Sequence, residues 1–248
     1  MPEVNNMTVT EYFREIEGAV GAIIVAAGKG SRMGLGYNKV LADLRGRPVI
    51  DWTIRKFVFS GLIDNLILVI NPEDKEAMET ICEPYTKKIQ LIITNGGDSR
   101  QDSVYNGLKA LPDAVEIVLI HDGARPFVDR QIIEDSIKTA IEKGAACAGW
   151  PAKDTIKILD DKKAVQVTPE RMLAWHAQTP QSFKRSIIMD AYENALKKGI
   201  RGTDDAGLAE AAGYIVSMFE GSNRNIKLTS AEDLILGEYF IGLSKTEF

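Results

Sequence analysis

Apolar positions along this chain follow two alternating rhythms. Short continuous runs, AVGAIIV (19–25), NLILVI (65–70), KIQLIIT (88–94), VEIVLI (115–120) and GAACAGW (144–150), read as strands covered on both faces. Between them lie amphipathic stretches that open near Pro48, Glu73, Ser99 and Asp129 and read as helices. That alternation predicts an α/β fold with a doubly wound, mostly parallel, Rossmann-like sheet. The rhythm breaks at 151–178, where two short β-like pieces carrying Ile156, Ile158, Val165 and Val167 flank the polar turn DDKK (160–163). The pattern predicts a protruding β-arm there. Alternation then resumes with a helix at about 182–198, a second over TDDAGLAEAAG (203–213), a strand at YIVSMFE (214–220) and a last helix from Ser230. The expected organisation is a single domain at 19–248, behind an N-terminal extension at 1–18.

Composition narrows the function classes. With 248 residues, 45% of them hydrophobic, the chain can bury a full core, and a net charge of -5 argues against nucleic acid or an acidic membrane surface as a partner. No apolar stretch approaches the length of a membrane span, and the first residues lack a cationic end followed by an apolar block, so a cytoplasmic location is the expectation. Cys82 and Cys147 lie in apolar surroundings without metal-ligand spacing and read as buried thiols.

Ligands of open parallel sheets bind beyond the carboxyl ends of the strands. Three strand exits are rich in chemistry: AAGKGSRMG (26–34), NGGDSRQDS (95–103) and HDGARP (121–126). The first has neither the glycine spacing of a dinucleotide fingerprint nor a Walker Gly-Lys-Ser/Thr, and the second strand is followed by Asn71 rather than by an acid for a ribose hydroxyl. A glycine-rich loop remains, whose N–H groups suit phosphates, with Lys29, Arg32 and Lys39 nearby to neutralise them. Asp122, ending a very apolar strand, reads either as a Mg²⁺ ligand facing phosphates or as an Asp-Gly turn paired with Arg125. At the remaining exit Asp98 or Ser99 suits a helix cap, while Asp98, Ser103 and backbone carbonyls suit the edge of a pyrimidine. His121 and His176 read as structural histidines.

In their order and spacing, these exits together with NKVLADLRGRPVI, DTIK, AQTPQSF, TDDA and RNIKLTSAEDL resemble the polyol-phosphate cytidylyltransferase family over about residues 19–243. The likeness is greatest to its methylerythritol phosphate branch, with the ribitol 5-phosphate branch as the alternative. A catalytically silent nucleotide-binding regulator is a further alternative, against which Arg32, Lys39, Asp122 and Lys227 all count. The resemblance implies a nucleotidyltransferase sheet, CTP and a polyol phosphate as substrates, Mg²⁺ as cofactor, and a homodimer with exchanged arms. It implies that Ala26, Ala27 and Gly28 contact the nucleotide, that Gly97, Asp98 and Ser103 read cytosine, and that Asp122 supports the metal. Arg32, Lys39 and Lys227 are the implied catalytic cations, and Arg125, Thr155, Arg171 and Thr179 are implied, with Lys227, to surround the polyol phosphate. The chain departs from the family pattern at two sites, with Asn38-Lys39-Val40 for the common Pro-Lys-Gln and Gly123 for Ala, and no acid closely precedes Lys227 in EGSNRNIK to serve as a second metal carboxylate.

Overall fold

A computed structural model of the chain describes residues 18–28 and 37–243. Seven strands form one sheet in the order β3-β2-β1-β4-β8-β5-β9. They are β1 (Ala19–Ala26), β2 (Asn65–Ile70), β3 (Gln90–Asn95), β4 (Val115–Asp122), β5 (Ala145–Pro151), β8 (Trp175–Lys184) and β9 (Ser217–Glu220). All pairings are parallel except those of β8, which runs antiparallel between β4 and β5.

Four of the five continuous apolar runs are covered on both faces, as expected, while β3 lies at the sheet edge and is only half-buried. Ile24, Leu66 and Leu68 pack with Ile54, Phe57 and Ile133, under α1 (Val49–Val58), α2 (Lys75–Cys82) and α4 (Arg130–Lys143). On the opposite face Ile23, Ile67 and Val69 pack with Val104, Leu108, Tyr192 and Leu208, under α3 (Arg100–Ala110), α5 (Arg185–Lys198) and α6 (Asp205–Ala211). α7 (Ala231–Leu243) closes the described chain. Helix starts are set by side chains: Ser99, Asp129 and Asp204 each accept a hydrogen bond from a backbone N–H of the first turn that follows. Ser99, rather than Asp98, is therefore the cap of α3.

The arm is shorter than the pattern suggests. Its hairpin, β6 (Ile158–Leu159) with β7 (Val165–Val167), stands apart from the main sheet, with Ile158, Leu159, Val165 and Val167 all exposed. From Trp175 the chain is back in the sheet as β8, so the residues expected to complete the arm and to open a helix at 182 are instead a central strand, and α5 starts at Arg185. Apolar periodicity misses β8 because Gln178, Thr179, Gln181 and Ser182, all buried, satisfy their polar atoms inside the fold. Cys82 and Cys147 are buried as expected, and His121 is fully enclosed, but His176 lies exposed on β8.

Gln181 shows how β8 is tied in. Its Oε1 accepts from Asp205 N (3.0 Å) and Ala206 N (2.8 Å), and its Nε2 donates to Asp204 Oδ2 (2.8 Å). Gln181→Ala leaves these groups buried without partners, and we expect a loss of roughly 2–3 kcal/mol in chemical denaturation. A loss under about 0.5 kcal/mol would show that water or backbone movement replaces these bonds.

Candidate functional site

The strand order reverses between β1 and β4, since β2 and β3 extend the sheet to one side of β1 and β4 lies on the other. Open sheets part at such a point, and a cleft of about 430 Å³ lies there. It is lined by Val25 to Gly28 from the end of β1, Asn38 to Val40, Gly97 to Arg100 and Ser103 from the β3–α3 junction, Asp122 and Ala124 from the end of β4, and Lys227. Of the residues singled out from sequence, Ala26, Ala27, Gly28, Lys39, Gly97, Asp98, Ser103, Asp122 and Lys227 are thus brought together. Arg32 and Lys29 lie outside the described residues.

Each wall is held by a local device. The Asn38 side chain donates to Ala26 O (2.7 Å) and to Asp74 Oδ2 (2.8 Å), which docks the short turn carrying Lys39 against the exit of β1. At the β3–α3 junction Gly97 N donates to Ser103 Oγ (3.1 Å), which itself donates to Ser99 O (2.8 Å). A Cβ on Gly96 would fall 2.4 Å from the Ala27 side chain, so glycine there is what lets the two exits touch. A Cβ on Gly28, by contrast, would meet no atom of the described chain.

Asp122 is the electrostatic centre. Its Oδ1 accepts from Arg100 Nε (3.3 Å), and its Oδ2 from Lys227 Nζ (2.9 Å) and Arg125 Nε (3.4 Å). Burial alone would raise the carboxyl pKa, but Arg100, Lys227 and Arg125 together overrule it and hold the group far below the usual carboxylate range. The turn with Arg125 expected from sequence is therefore present, and two further cations join it. Lys227 is delivered from beyond β9: Leu228 N donates to Ala124 O (2.8 Å), and the buried Asn225 donates to Thr179 O (2.8 Å).

Besides Lys227, the residues implied for the second substrate fall into two groups. Arg125 and Thr179 stand behind the cleft wall, Arg125 on Asp122 and on Asn225 O (2.7 Å), Thr179 buried with its hydroxyl engaged. Thr155 and Arg171 are exposed on the arm, outside the cleft lining of their own chain. Arg100 and Asn38 line the cleft without having been singled out for it. A cation one residue past a helix cap at a strand exit was the signal for Arg100.

Most of the chain matches known proteins. Residues 20–242 match the family model IspD, 2-C-methyl-D-erythritol 4-phosphate cytidylyltransferase. A protein of that name from Clostridioides difficile is 49% identical over 226 residues, 91% of this chain and 94% of that protein. Another from Caldanaerobacter subterraneus is 42% identical over 223 residues, 90% and 98% respectively. Among solved structures, the 4-diphosphocytidyl-2C-methyl-D-erythritol synthase of Anaerococcus prevotii superposes with a TM-score of 0.83 at 33% identity, covering 91% of this chain and 99% of that one. The 2-C-methyl-D-erythritol 4-phosphate cytidylyltransferase of Thermus thermophilus gives 0.72 at 31% identity, covering 90% and 98%.

Behind Asp122 a chain of hydrogen bonds fixes one tautomer of His121. Arg125 O can only accept, so His121 Nε2 donates to it (3.1 Å); Nδ1 then accepts from the Thr179 hydroxyl (3.0 Å), which accepts from Asp122 N (3.1 Å). Burial pushes the imidazole pKa down from 6.5 to about 4. In that window the unfolded chain binds a proton that the folded chain refuses, so stability is full above pH 6.5 and falls as pH drops toward 4. The slope attributable to His121 approaches about 1.4 kcal/mol per pH unit. Denaturation midpoints should therefore fall less steeply over this window in His121→Gln than in the parent protein, and equal slopes would remove His121 from the acid response.

Proposed function

The chain belongs to the 2-C-methyl-D-erythritol 4-phosphate cytidylyltransferase family, and from that premise we propose how its cleft carries out the reaction. The activity is the joining of CMP from CTP to 2-C-methyl-D-erythritol 4-phosphate with release of pyrophosphate, a step of isoprenoid precursor biosynthesis. The observation that carries the assignment of roles is the meeting, at one strand-exit cleft, of glycine-rich backbone with the cations Lys39, Arg100 and Lys227 around a buried carboxylate.

The acceptor phosphate is the nucleophile. Its second pKa lies near 6, so it is ionised at neutral pH and needs no general base. What opposes reaction is the repulsion between two polyanions and the charge that grows on the α-phosphoryl oxygens during in-line attack. In this reading Lys39 and Arg32 are placed on the triphosphate and Lys227 beside the acceptor phosphate, where fixed cations offset that charge without reorganising. Glycine at 28 lets the triphosphate approach the backbone in this reading, and a Cβ there would meet no atom of the described residues within 4 Å. Gly97, Asp98 and Ser103 are assigned to the cytosine edge, with the Ser103 hydroxyl shaping the loop as much as addressing the base.

Mg²⁺ fits this donor set through Asp122. No group of three or more His, Cys, Asp or Glu able to hold a metal occurs among the described residues, which leaves single carboxylates such as Asp122. Mg²⁺ is commonly held by one or two carboxylates with substrate phosphates and water, and Asp122 in the cleft lining suits the protein's share. The ion would supply further neutralisation of the phosphates.

The arm supports a homodimer. It exposes Ile158, Leu159, Val165 and Val167, and beyond them Met172 and Leu173 at 77% and 78%. An isolated hairpin of this kind is marginal, and a second copy of the chain is the simplest cover for its apolar side chains. In this reading the arm reaches the neighbour's cleft and brings Thr155 and Arg171 to the acceptor phosphate there, with Arg125 and Thr179 bracing the wall. No described helix is long and apolar enough to cross a membrane, which accords with a cytoplasmic enzyme.

Two experiments test these roles. Pyrophosphate release should be greatest with CTP and 2-C-methyl-D-erythritol 4-phosphate, exceeding UTP in kcat/KM by at least ~10²-fold. Equal use of both nucleotides would sink the assignment of the base loop, and preference for ribitol 5-phosphate would move the acceptor. For the arm, Lys39→Ala and Arg171→Ala proteins, each slowed by roughly 10²-fold, are mixed under subunit exchange. Arg171 acting across the dimer restores activity, because one site in each mixed dimer holds both intact residues. A confirmed mixed dimer that stays inactive refutes the exchanged arm.

A further inference from the structure

Three successive residues at the start of α3 grip the segment that leads into α6. Gln101 donates to Ile200 O (3.2 Å) and accepts from Gly202 N (3.2 Å). Asp102 takes the Arg201 guanidinium on both oxygens at 3.2 Å. Arg100 donates from Nη2 to Asp205 Oδ2 at 2.8 Å. The outer contacts hold backbone and surface, but the third reaches the cleft, since the Nε of the same guanidinium meets Asp122.

Asp205 has no contact with solvent, is absent from the cleft lining, and is fixed from every side. Gln181 holds its N–H, the Tyr192 hydroxyl donates to its Oδ1 (2.5 Å), and Oδ2 is left for Arg100. A buried carboxylate is costly without a cation, and here the cation is an arginine that also meets Asp122. Its planar fork can hold two carboxylates at once only in one orientation.

We infer that Asp205 is a positioning residue for cytidylyl transfer, a buried anchor that turns the Arg100 guanidinium to Asp122 and to the phosphates in the cleft. Asp205 touches no substrate and acts only through Arg100. The role rests on the cleft being the transfer centre. It also explains why an acid should stand at the first position of a seven-residue helix that already has Asp204 as its cap.

The test is a double-mutant cycle read in kcat and KM on the full-length protein. Asp205→Asn should lower kcat by about tenfold or more, yet cost less than twofold once Arg100→Gln is present, because neighbours acting as one unit are not additive. A merely structural carboxylate would cost the same in both backgrounds, and additive losses overturn the inference. Arg100→Lys provides a second reading that does not depend on Asp205→Asn folding: it keeps the charge and cannot bridge, so kcat should fall by about fivefold or more. Parent-like turnover in that variant also overturns the inference. A parent protein inert with CTP and the methylerythritol phosphate would refute the assignment of the cleft instead, which separates the two failures.

Discussion

Asp122 ends a strand in which seven of eight residues are buried, and an ionised carboxylate in such a place costs several kcal/mol unless cations meet it. Arg100, Arg125 and Lys227 do so, each from a different part of the chain. The requirement runs both ways: three cations brought together in a partly enclosed site would repel one another without the carboxylate. The ion cluster therefore fixes the relative positions of β4, α3 and the segment after β9. Those elements, with the exit of β1, are the walls of the cleft.

In the proposed reading, the substrates bring more negative charge to the same place. With Asp122 and Asp205 set against Arg100, Arg125 and Lys227, the cluster still holds positive charge in excess, and in the proposed reading the Coulombic work of admitting a triphosphate beside an acceptor phosphate falls accordingly. Lys39 reaches the cleft by a separate route, on a turn pinned by Asn38. That route gives a physical account of one departure from the family pattern. The other, Gly123, sits where a Cβ would come 2.9 Å from Ile50 and 3.0 Å from Val25 O, so this backbone has closed up around glycine.

The antiparallel strand β8 gives the site its depth. Gln178, Thr179 and Gln181 on it hold, in turn, the segment before Lys227, the amide of Asp122, and the first turn of α6. A strand of apolar residues would pair equally well in the sheet and would tie none of these elements together. The polar content that hides β8 from a reading of hydrophobic pattern is the same content that connects two walls of the cleft with the helix behind them, and a buried polar network of this kind is rigid when its members are satisfied.

What the sequence by itself determined were features with local causes. The apolar runs marked β1 to β5, because a strand covered on both faces must be apolar throughout. Cap residues marked helix starts, and the glycine-rich exits with Lys39 and Asp122 marked residues that the fold then brings together in one cleft. Tertiary structure alone decided the rest. Arg100 and Asp205 are 105 positions apart, Arg125 and Asn225 are 100 apart, and nothing local to either member announces such a pair. The place of β8 was likewise invisible, since its neighbours in the sheet, not its own pattern, make a strand of it. Contacts of that kind depend on the whole chain having folded, and they are the ones that turn a set of charged residues into a site with one geometry.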